Sequence, residues 1–527
     1  MSNTYIVFGA PGTGKTHYLV SRIIDIIKED KDMLNNITYC TFTKTAANEA
    51  KERIYKELGI SYSEIPWTFS TFHSVCYNLL GLKRDMVVQL KHKKKFCEDY
   101  NIQFEEYCST EDDVVTGFDE LALGNQLFAI YDMFKMKYPS TSIESILSNS
   151  YSLLNTSYNI PLDDNSLISF WNNWEEYKSE NNLLDFSDML QFCINEHLSP
   201  DTEVFIVDEA QDMYPLQYAL YSLWKKDADT IYMAGDDWQT IYDCFGASAR
   251  FLLNEKGEKI ILPKSYRLKS NIWNFSKSLI SQVKNQQKKD ITCEKGGKVE
   301  FININSIYNL VHLIKGKTFM LFRTNYMVKQ VAHQLIEAGI PFLALRGWTV
   351  WSKKLIDFYN SLLNIMKKKQ LSISEVNNIL SFIPVKNILR RGIKSKIKKA
   401  SYDTLTYTEF TKLFKYPHLV SIDYIIHNSK LSKVQRIALN RMIYNSNIYS
   451  RKKIDRINLY IGTIHSSKGK EANNVILFDN ITYKIHNELF NNIDSEVRVF
   501  FTATTRAINN LYIVNNYFNT FTFSNWR

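Results

Sequence analysis

The stretch Tyr5-Ile-Val-Phe-Gly-Ala-Pro-Gly-Thr-Gly-Lys-Thr16 decides the fold of this chain. An apolar run, Tyr5 to Phe8, leads straight into Gly9, Ala10, Pro11, Gly12, Thr13, Gly14, Lys15 and Thr16, and residues 18–27 carry apolar side chains at helical spacing. Strand, glycine loop and helix, in that order, is the context that G-x-x-x-x-G-K-[ST] requires. The glycines free backbone N–H groups to face phosphate oxygens at a helix N-terminus. Lys15 is placed to reach the outer phosphates, and the Thr16 hydroxyl to ligate Mg²⁺. A nucleoside triphosphate is the expected ligand.

A second apolar run, within Glu203-Val-Phe-Ile-Val-Asp-Glu-Ala-Gln-Asp212, ends in two acids. A doubly wound sheet holds its metal at the carboxyl end of a strand. Asp208 is expected to hold Mg²⁺ through water, and Glu209 to polarise the attacking water as general base. The run at 231–235 ends in a further polar cluster, Asp236-Asp-Trp-Gln239, where Gln239 is placed to sense the terminal phosphate.

A chain of 527 residues suggests several domains. Its net charge of +9 is unevenly spread. Residues 353–456 hold 22 Lys/Arg against six Asp/Glu, which leaves the remainder slightly acidic and points to a polyanion contact in that region. The seven cysteines, Cys40, Cys76, Cys97, Cys108, Cys193, Cys244 and Cys293, form no C-x-x-C pair, which speaks against a disulfide framework or a cysteine-rich zinc site. The first strand begins within a few residues of Met1, so no leader is expected, and no apolar run reaches membrane-spanning length. A cytoplasmic location is the expectation, in a bacterial host if the chain is phage-encoded.

VDEAQD (207–212) followed by GDDWQTIY (235–242) resembles motifs II and III of superfamily 1 helicases of the UvrD/Rep type. Further segments resemble that family's other motifs in order. They are TFTKTAANEA (41–50), STFHS (70–74), LDFSDML (184–190), SYR (265–267), LFRTN (321–325), TIHSSKGKEANNVIL (463–477) and EVRVFFTATTRA (496–507). APGTGKT, EANNV and the short length are most similar to the bacteriophage-encoded members.

The resemblance implies an α/β fold of two RecA-like P-loop domains, parallel sheets flanked by helices, each with a mainly helical insertion. The expected division is 1–76 with 180–262 for the first ATP-binding domain, and 77–179 for its insertion. Residues 263–360 with 455–527 form the second domain, and 361–454 its basic, reduced insertion. Within the first insertion, residues 121–131 and 168–177 read as helical. ATP and Mg²⁺ are the implied cofactors. By resemblance Arg267 and Arg506 are arginine fingers, Tyr266 stacks on adenine and Glu471 contacts the ribose. Phe42, Thr71, His73, Arg323, Asn325, His465 and Ser466 match positions on the family's single-strand track. The turn around Leu389-Arg-Arg-Gly-Ile-Lys-Ser-Lys396 resembles one that grips duplex phosphates, with Arg391 and Lys394 as its cations and Lys394 in place of a second glycine.

The family's adenine-reading glutamine, some twenty residues ahead of the phosphate loop, has no counterpart in the eight residues present here, and His17 stands where an arginine is common. Cys244 takes the position of the family's base-stacking Trp, with Phe245 beside it, and the aromatic tail, Tyr517, Phe518, Phe521, Phe523 and Trp526, reads either as a reduced strand-separating pin or as core. The leading expectation is a DNA-dependent ATPase that moves 3′ to 5′ on single strands and unwinds duplex, with single-stranded DNA and single/double-strand junctions as partners and no membrane contact. Two alternatives stand beside it: a translocase or motor subunit of a repair, recombination or defence complex, and an ATP-gated DNA-binding switch.

Overall fold

The computed structural model describes residues 3–106, 121–148, 163–243, 246–347, 350–399, 401–445 and 451–523. Two six-stranded parallel sheets organise them. The first contains β1 (Asn3–Phe8), β2 (Ile37–Thr41), β3 (Phe69–Thr71), β4 (Val204–Val207), β5 (Thr230–Gly235) and β6 (Glu258–Ile261), in the order β3-β2-β4-β5-β1-β6. The central strands read as unbroken apolar runs because both faces are covered, as a parallel sheet flanked by helices requires. Val7, Ile206 and Ala234 pack on one side against Leu19, Val20, Ile23 and Ile27 of the helix Lys15–Glu29. Ile6, Phe8, Phe205 and Val207 pack on the other against Phe72, Leu190, Leu220 and Trp224.

The strand β7 (Lys264–Lys269) opens the second half. Its sheet contains β8 (Lys298–Asn303), β9 (Thr318–Phe322), β10 (Leu343–Ala344), β11 (Leu459–Thr463), β12 (Ala472–Phe478) and β13 (Ala507–Asn515), in the order β10-β11-β9-β12-β13-β8. Alternate residues of each strand enter different cores: Phe319 and Leu321 join one, Met320 and Phe322 the other. That second core runs on without a break into the helices Lys353–Met366, Ile373–Phe382 and Lys433–Tyr444, so the basic stretch is packed on one face of the sheet.

Helices Leu90–Asp99, Leu123–Lys137 and Asp164–Glu180 precede β4 and enclose an aromatic core of Phe96, Phe128, Phe170 and Trp174. They include the segment 168–177 read as helical in the sequence and all of 121–131 but its first two residues. A charged cluster ties them to the first sheet's helices. Buried Lys178 donates to Asp185 and Asp188, each at 2.6 Å, and Lys135 also pairs with Asp188. Both acids come from LDFSDML, where Asp185 caps the helix Phe186–Asn195.

Candidate active site

The loop after β1 holds itself open for an anion. Gly9 N–H donates to Gly235 O at 3.2 Å, and the Thr13 hydroxyl donates to Ala10 O at 2.9 Å. Gly14 stands at φ 83°, a left-handed conformation that suits glycine, and begins the helix Lys15–Glu29 with no side-chain cap. The N–H groups of the first turn therefore keep their attraction for negative charge. Gly12 has φ +75°, and a Cβ there would lie 2.4 Å from Cβ of Arg267, so the second half of the chain closes directly over the loop. Lys15 is buried, and its ammonium donates to Gly9 O at 3.1 Å.

The ends of β4 and β5 bring the acids to the same place. Asp208 is fully buried and accepts from Thr16 Oγ1 at 2.6 Å, Tyr39 Oη at 2.9 Å and Glu209 N–H at 2.9 Å. Burial, followed by the neighbouring Glu209 charge, pushes the Asp208 carboxyl up to about 6. Glu209 has φ 58° and ψ 34°, a conformation uncommon outside glycine, and its carboxylate accepts from Gln211 Nε2 at 2.6 Å. Burial works to raise the Glu209 carboxyl, but the Lys15 charge, the Gln211 amide and Lys468 together hold it below the usual range. Gln239 donates from Nε2 to Asp236 Oδ2 at 2.6 Å. Excess negative charge, a threonine hydroxyl and an uncapped helix start suit Mg²⁺ and a polyphosphate, hard oxygen-seeking partners.

The second half supplies the cations. Arg506 is fully buried and donates from Nη2 to Gln239 Oε1 at 2.5 Å. Burial and the like charge of Arg267 push its guanidinium down to about 9, still cationic at neutral pH. β7 lies along the phosphate loop: Ser265 Oγ donates to Pro11 O at 2.8 Å and Tyr266 N–H to Gly12 O at 2.9 Å. Arg267 is ion-paired with Glu471, so two residues expected at the nucleotide hold each other. Tyr266 is 78% exposed and therefore no part of the core, with the Lys264 ammonium 5.1 Å from its ring centre.

The residues expected on the single-strand track separate into two kinds. Phe42 is half-buried and packs on Phe72, Thr71 caps the helix Phe72–Leu79, His73 meets the exposed ring of Phe186 edge-on at 5.5 Å, and half-buried Asn325 starts the helix Asn325–Ala338. Arg323, His465 and Ser466 are buried. Arg323 makes a two-pronged pair with Glu496 at 2.7 and 3.1 Å, His465 Nε2 lies 3.2 Å from Ile241 O, and Ser466 Oγ donates to Thr463 O. Arg391 is exposed, whereas Lys394 donates to Ile383 O at 2.7 Å and so closes the end of a neighbouring helix. In the tail Phe518 and Phe523 are buried, with Phe523 stacked on Phe500 at 4.1 Å, while Phe521 is exposed. Cys244, Phe245 and Trp526 lie outside the described residues.

Two basic residues at this junction escape a reading of the sequence. Lys468 donates to both oxygens of Asp212 at 2.6 Å and to Gln239 O at 2.9 Å, joining the two halves beside the site. Its place within HSSKGK, two residues after Ser466, was the available signal. Lys289, in the polar run Gln-Gln-Lys-Lys-Asp, carries no such signal.

Comparison with known proteins agrees with this arrangement. Residues 1–259 match the UvrD/REP helicase N-terminal domain, and residues 391–517 the UvrD-like helicase C-terminal domain. The chain carries both UvrD-type helicase domains. The ATP-dependent DNA helicase PcrA of Staphylococcus epidermidis is 23% identical over 475 residues, covering 84% of this chain and 61% of that protein. PcrA of Staphylococcus aureus is 23% identical over 425 residues, covering 74% of this chain and 54% of its own length. This chain thus spans about three fifths or less of the length of these curated relatives. The match to the UvrD/REP N-terminal domain contains Lys15, Thr16, Asp208, Glu209 and Gln239, and the match to the UvrD-like C-terminal domain contains Glu471 and Arg506. Arg267 falls between the two matches. Among the described residues no helix is long and apolar enough to cross a membrane.

Proposed function

We propose that this UvrD-like chain is a DNA-dependent ATPase that moves 3′ to 5′ on single-stranded DNA and unwinds duplex. One observation carries the reading: a phosphate loop and paired acids on the first sheet face a buried arginine from the second, which touches Gln239. In this reading residues 1–76 with 180–262, and 263–360 with 455–527, are the two motor domains, and 77–179 and 361–454 their insertions. Its reduced second insertion supports grouping it with the short phage-encoded members.

The chemistry follows from the placement of charge. Lys15 and the first-turn N–H groups bind the phosphates. Thr16 and Asp208 would hold Mg²⁺, which when bound neutralises charge on the phosphate oxygens. Glu209, kept ionised, accepts a proton from the attacking water. Arg506 and Arg267 stabilise the charge of the transition state, and because both come from the second half, turnover depends on closure of the cleft. Arg267 must leave Glu471 to take part, and that exchange frees Glu471 for the ribose. Tyr266 offers a ring to the base, a contact that tolerates any purine.

Phe42, His73 and Asn325 are the half-buried positions of the proposed single-strand track, while buried Thr71, Arg323, His465 and Ser466 shape it from behind. A translocase with little unwinding is the second reading, favoured by the burial of Phe518 and Phe523, which makes them core rather than a pin. ATP hydrolysis with and without single-stranded DNA, run beside unwinding of forked duplexes with a tail of either polarity, tests both. Unwinding that requires a 5′ tail overturns the direction, and stimulated hydrolysis without unwinding selects the translocase.

A further inference from the structure

Lys289 is a buried cation that the nucleotide contacts above do not use. It lies in a polar loop between the helix Ser270–Ile280 and the short strand Thr292–Glu294, yet its side chain is 0% exposed. Its ammonium is 2.7 Å from Asp236 Oδ1 and 2.5 Å from Asp237 Oδ1, and 4.1 Å from the centre of the Trp238 ring. Trp238 is itself stacked on Trp273 and met edge-on by Phe501. The loop is fastened at further points: Gln287 N–H donates to Asp237 Oδ2 at 2.8 Å, and Arg498 bridges Asp237 O and Asn285 O, each at 3.1 Å. A loop of the second half is therefore locked into the segment that follows β5 of the first.

The consequence reaches Gln239. Asp236 divides its oxygens between partners: Oδ1 accepts from Lys289 and, at 3.3 Å, from Trp238 N–H, and Oδ2 accepts from Gln239 Nε2. A carboxylate that only accepts hydrogen bonds fixes which way the amide faces: Nε2 towards Asp236, and Oε1 towards Arg506. Burial works to raise the Asp236 carboxyl, but Lys289, with Lys15 and the Gln239 amide, holds it below the usual range, so it stays an acceptor. Without Lys289 a fully buried carboxylate would lose its direct cation, and the acceptor that orients the amide would be held on Oδ1 by the Trp238 N–H alone.

We propose that Lys289 is a positioning residue for hydrolysis: it holds Asp236 so that Gln239 presents its carbonyl oxygen to Arg506. This rests on the reading of Gln239 and Arg506 as groups of an ATP-hydrolysing site. It adds a control point on the second half whose docking sets the geometry of the phosphate-sensing side chain. A buried ion pair that serves only the fold would affect stability and leave turnover per folded molecule alone, so the two roles separate in kinetics.

The test compares kcat and KM for ATP, with saturating single-stranded DNA, and Tm, in the full chain. The proteins are wild type, Lys289→Arg, Lys289→Met, Gln239→Ala and the double variant Lys289→Arg/Gln239→Ala. Lys289→Arg keeps the charge but replaces a compact ammonium with a planar fork, so it is expected to fold and to lose about tenfold in kcat with KM changed less than about threefold. Lys289→Met is expected to lose more. In the Gln239→Ala background, Lys289→Arg is expected to change kcat less than about twofold, because both act through one contact. If Lys289→Met does not fold, Lys289→Arg and the double variant decide. Wild-type kcat in Lys289→Arg, or losses that multiply in the double variant, overturns the inference. Absence of ATP hydrolysis by the wild-type protein overturns the proposed function and this inference with it; hydrolysis with a silent Lys289→Arg overturns the inference alone.

Discussion

Arg506 places Nη2 2.5 Å from Oε1 of Gln239, a bond between the two halves of the chain made wholly out of contact with water. The guanidinium is held at three further points, by Thr502 O, Lys470 O and Thr505 Oγ1, so it is fixed before any phosphate arrives. A preorganised cation stabilises developing charge without reorganisation at the moment of reaction.

Arg506→Ala is therefore expected to lower DNA-stimulated kcat by about 10³-fold, while nucleotide binding weakens less than about tenfold. Steady-state kinetics beside equilibrium binding of a fluorescent nucleotide checks it. Loss of binding with unchanged kcat would make Arg506 a ground-state phosphate contact.

Lys468 and Asp212 form an ionic link between the halves in addition to those that Lys289 makes. Burial, only partly offset by Lys468, pushes Asp212 up to about 6, so the carboxylate depends on its partner. Lys468→Met leaves that acid without its cation and is expected to cost about 3 kcal/mol, the low end for a buried pair because both side chains keep some exposure. Adding Asp212→Asn should return most of it. Urea unfolding midpoints of the single and double variants decide, and equal midpoints for both would remove the linking role.

The phosphate loop and the acids after β4 were legible because each depends on local pattern: an apolar run, a glycine turn, a charge at a strand end. The order of the strands depends on crossovers between distant segments and has no such local mark. The helices Leu123–Lys137 and Asp164–Glu180 were legible from the spacing of their apolar residues, whereas Leu90–Asp99 was not read. Lys289 was not, because a lysine in a polar loop reads as solvated, and only the packing of that loop against Asp236 and Asp237 buries it. Tyr266 shows the converse. Its stacking role came from resemblance alone, and it is the course of β7 along the phosphate loop that leaves the ring in the open. Lys394 looked like a free cation until the neighbouring helix end supplied its acceptor, Ile383 O.

His73 carries a pH dependence of definite sign. Burial lowers its imidazole to about 4, against an unfolded value of about 6.5. The unfolded chain therefore takes up this proton first. The stabilising contribution is complete above about 6.5 and is lost as pH falls towards 4. His73→Gln is expected to lose less stability than wild type between pH 7 and 5, measured as the change in urea midpoint. A steeper loss in the variant would contradict the assignment. Buried His465 shifts in the same direction, so neither ring adds positive charge to the proposed track at neutral pH.

The exposed cations of the basic stretch predict a salt effect. Arg391, Lys396 and Lys398 face solvent, whereas Lys394 serves a helix end and is left in place. Neutralising those three is expected to reduce the slope of log K against log salt for junction DNA by about 1 to 3, at about 0.9 per lost phosphate contact. Single-strand stimulation of hydrolysis should persist. An unchanged slope would mean that this face does not meet DNA.

The central claim is that this cleft hydrolyses ATP in response to DNA with Glu209 as the base. Mg²⁺-dependent hydrolysis by wild type and Glu209→Gln, with and without single-stranded DNA and with nucleotide affinity measured in parallel, tests it most directly. Wild type is expected to be stimulated by DNA more than about tenfold, and Glu209→Gln to bind ATP within about threefold of wild type while turning over about 10²-fold more slowly or worse. Turnover by Glu209→Gln close to that of wild type, or hydrolysis indifferent to DNA, would contradict it.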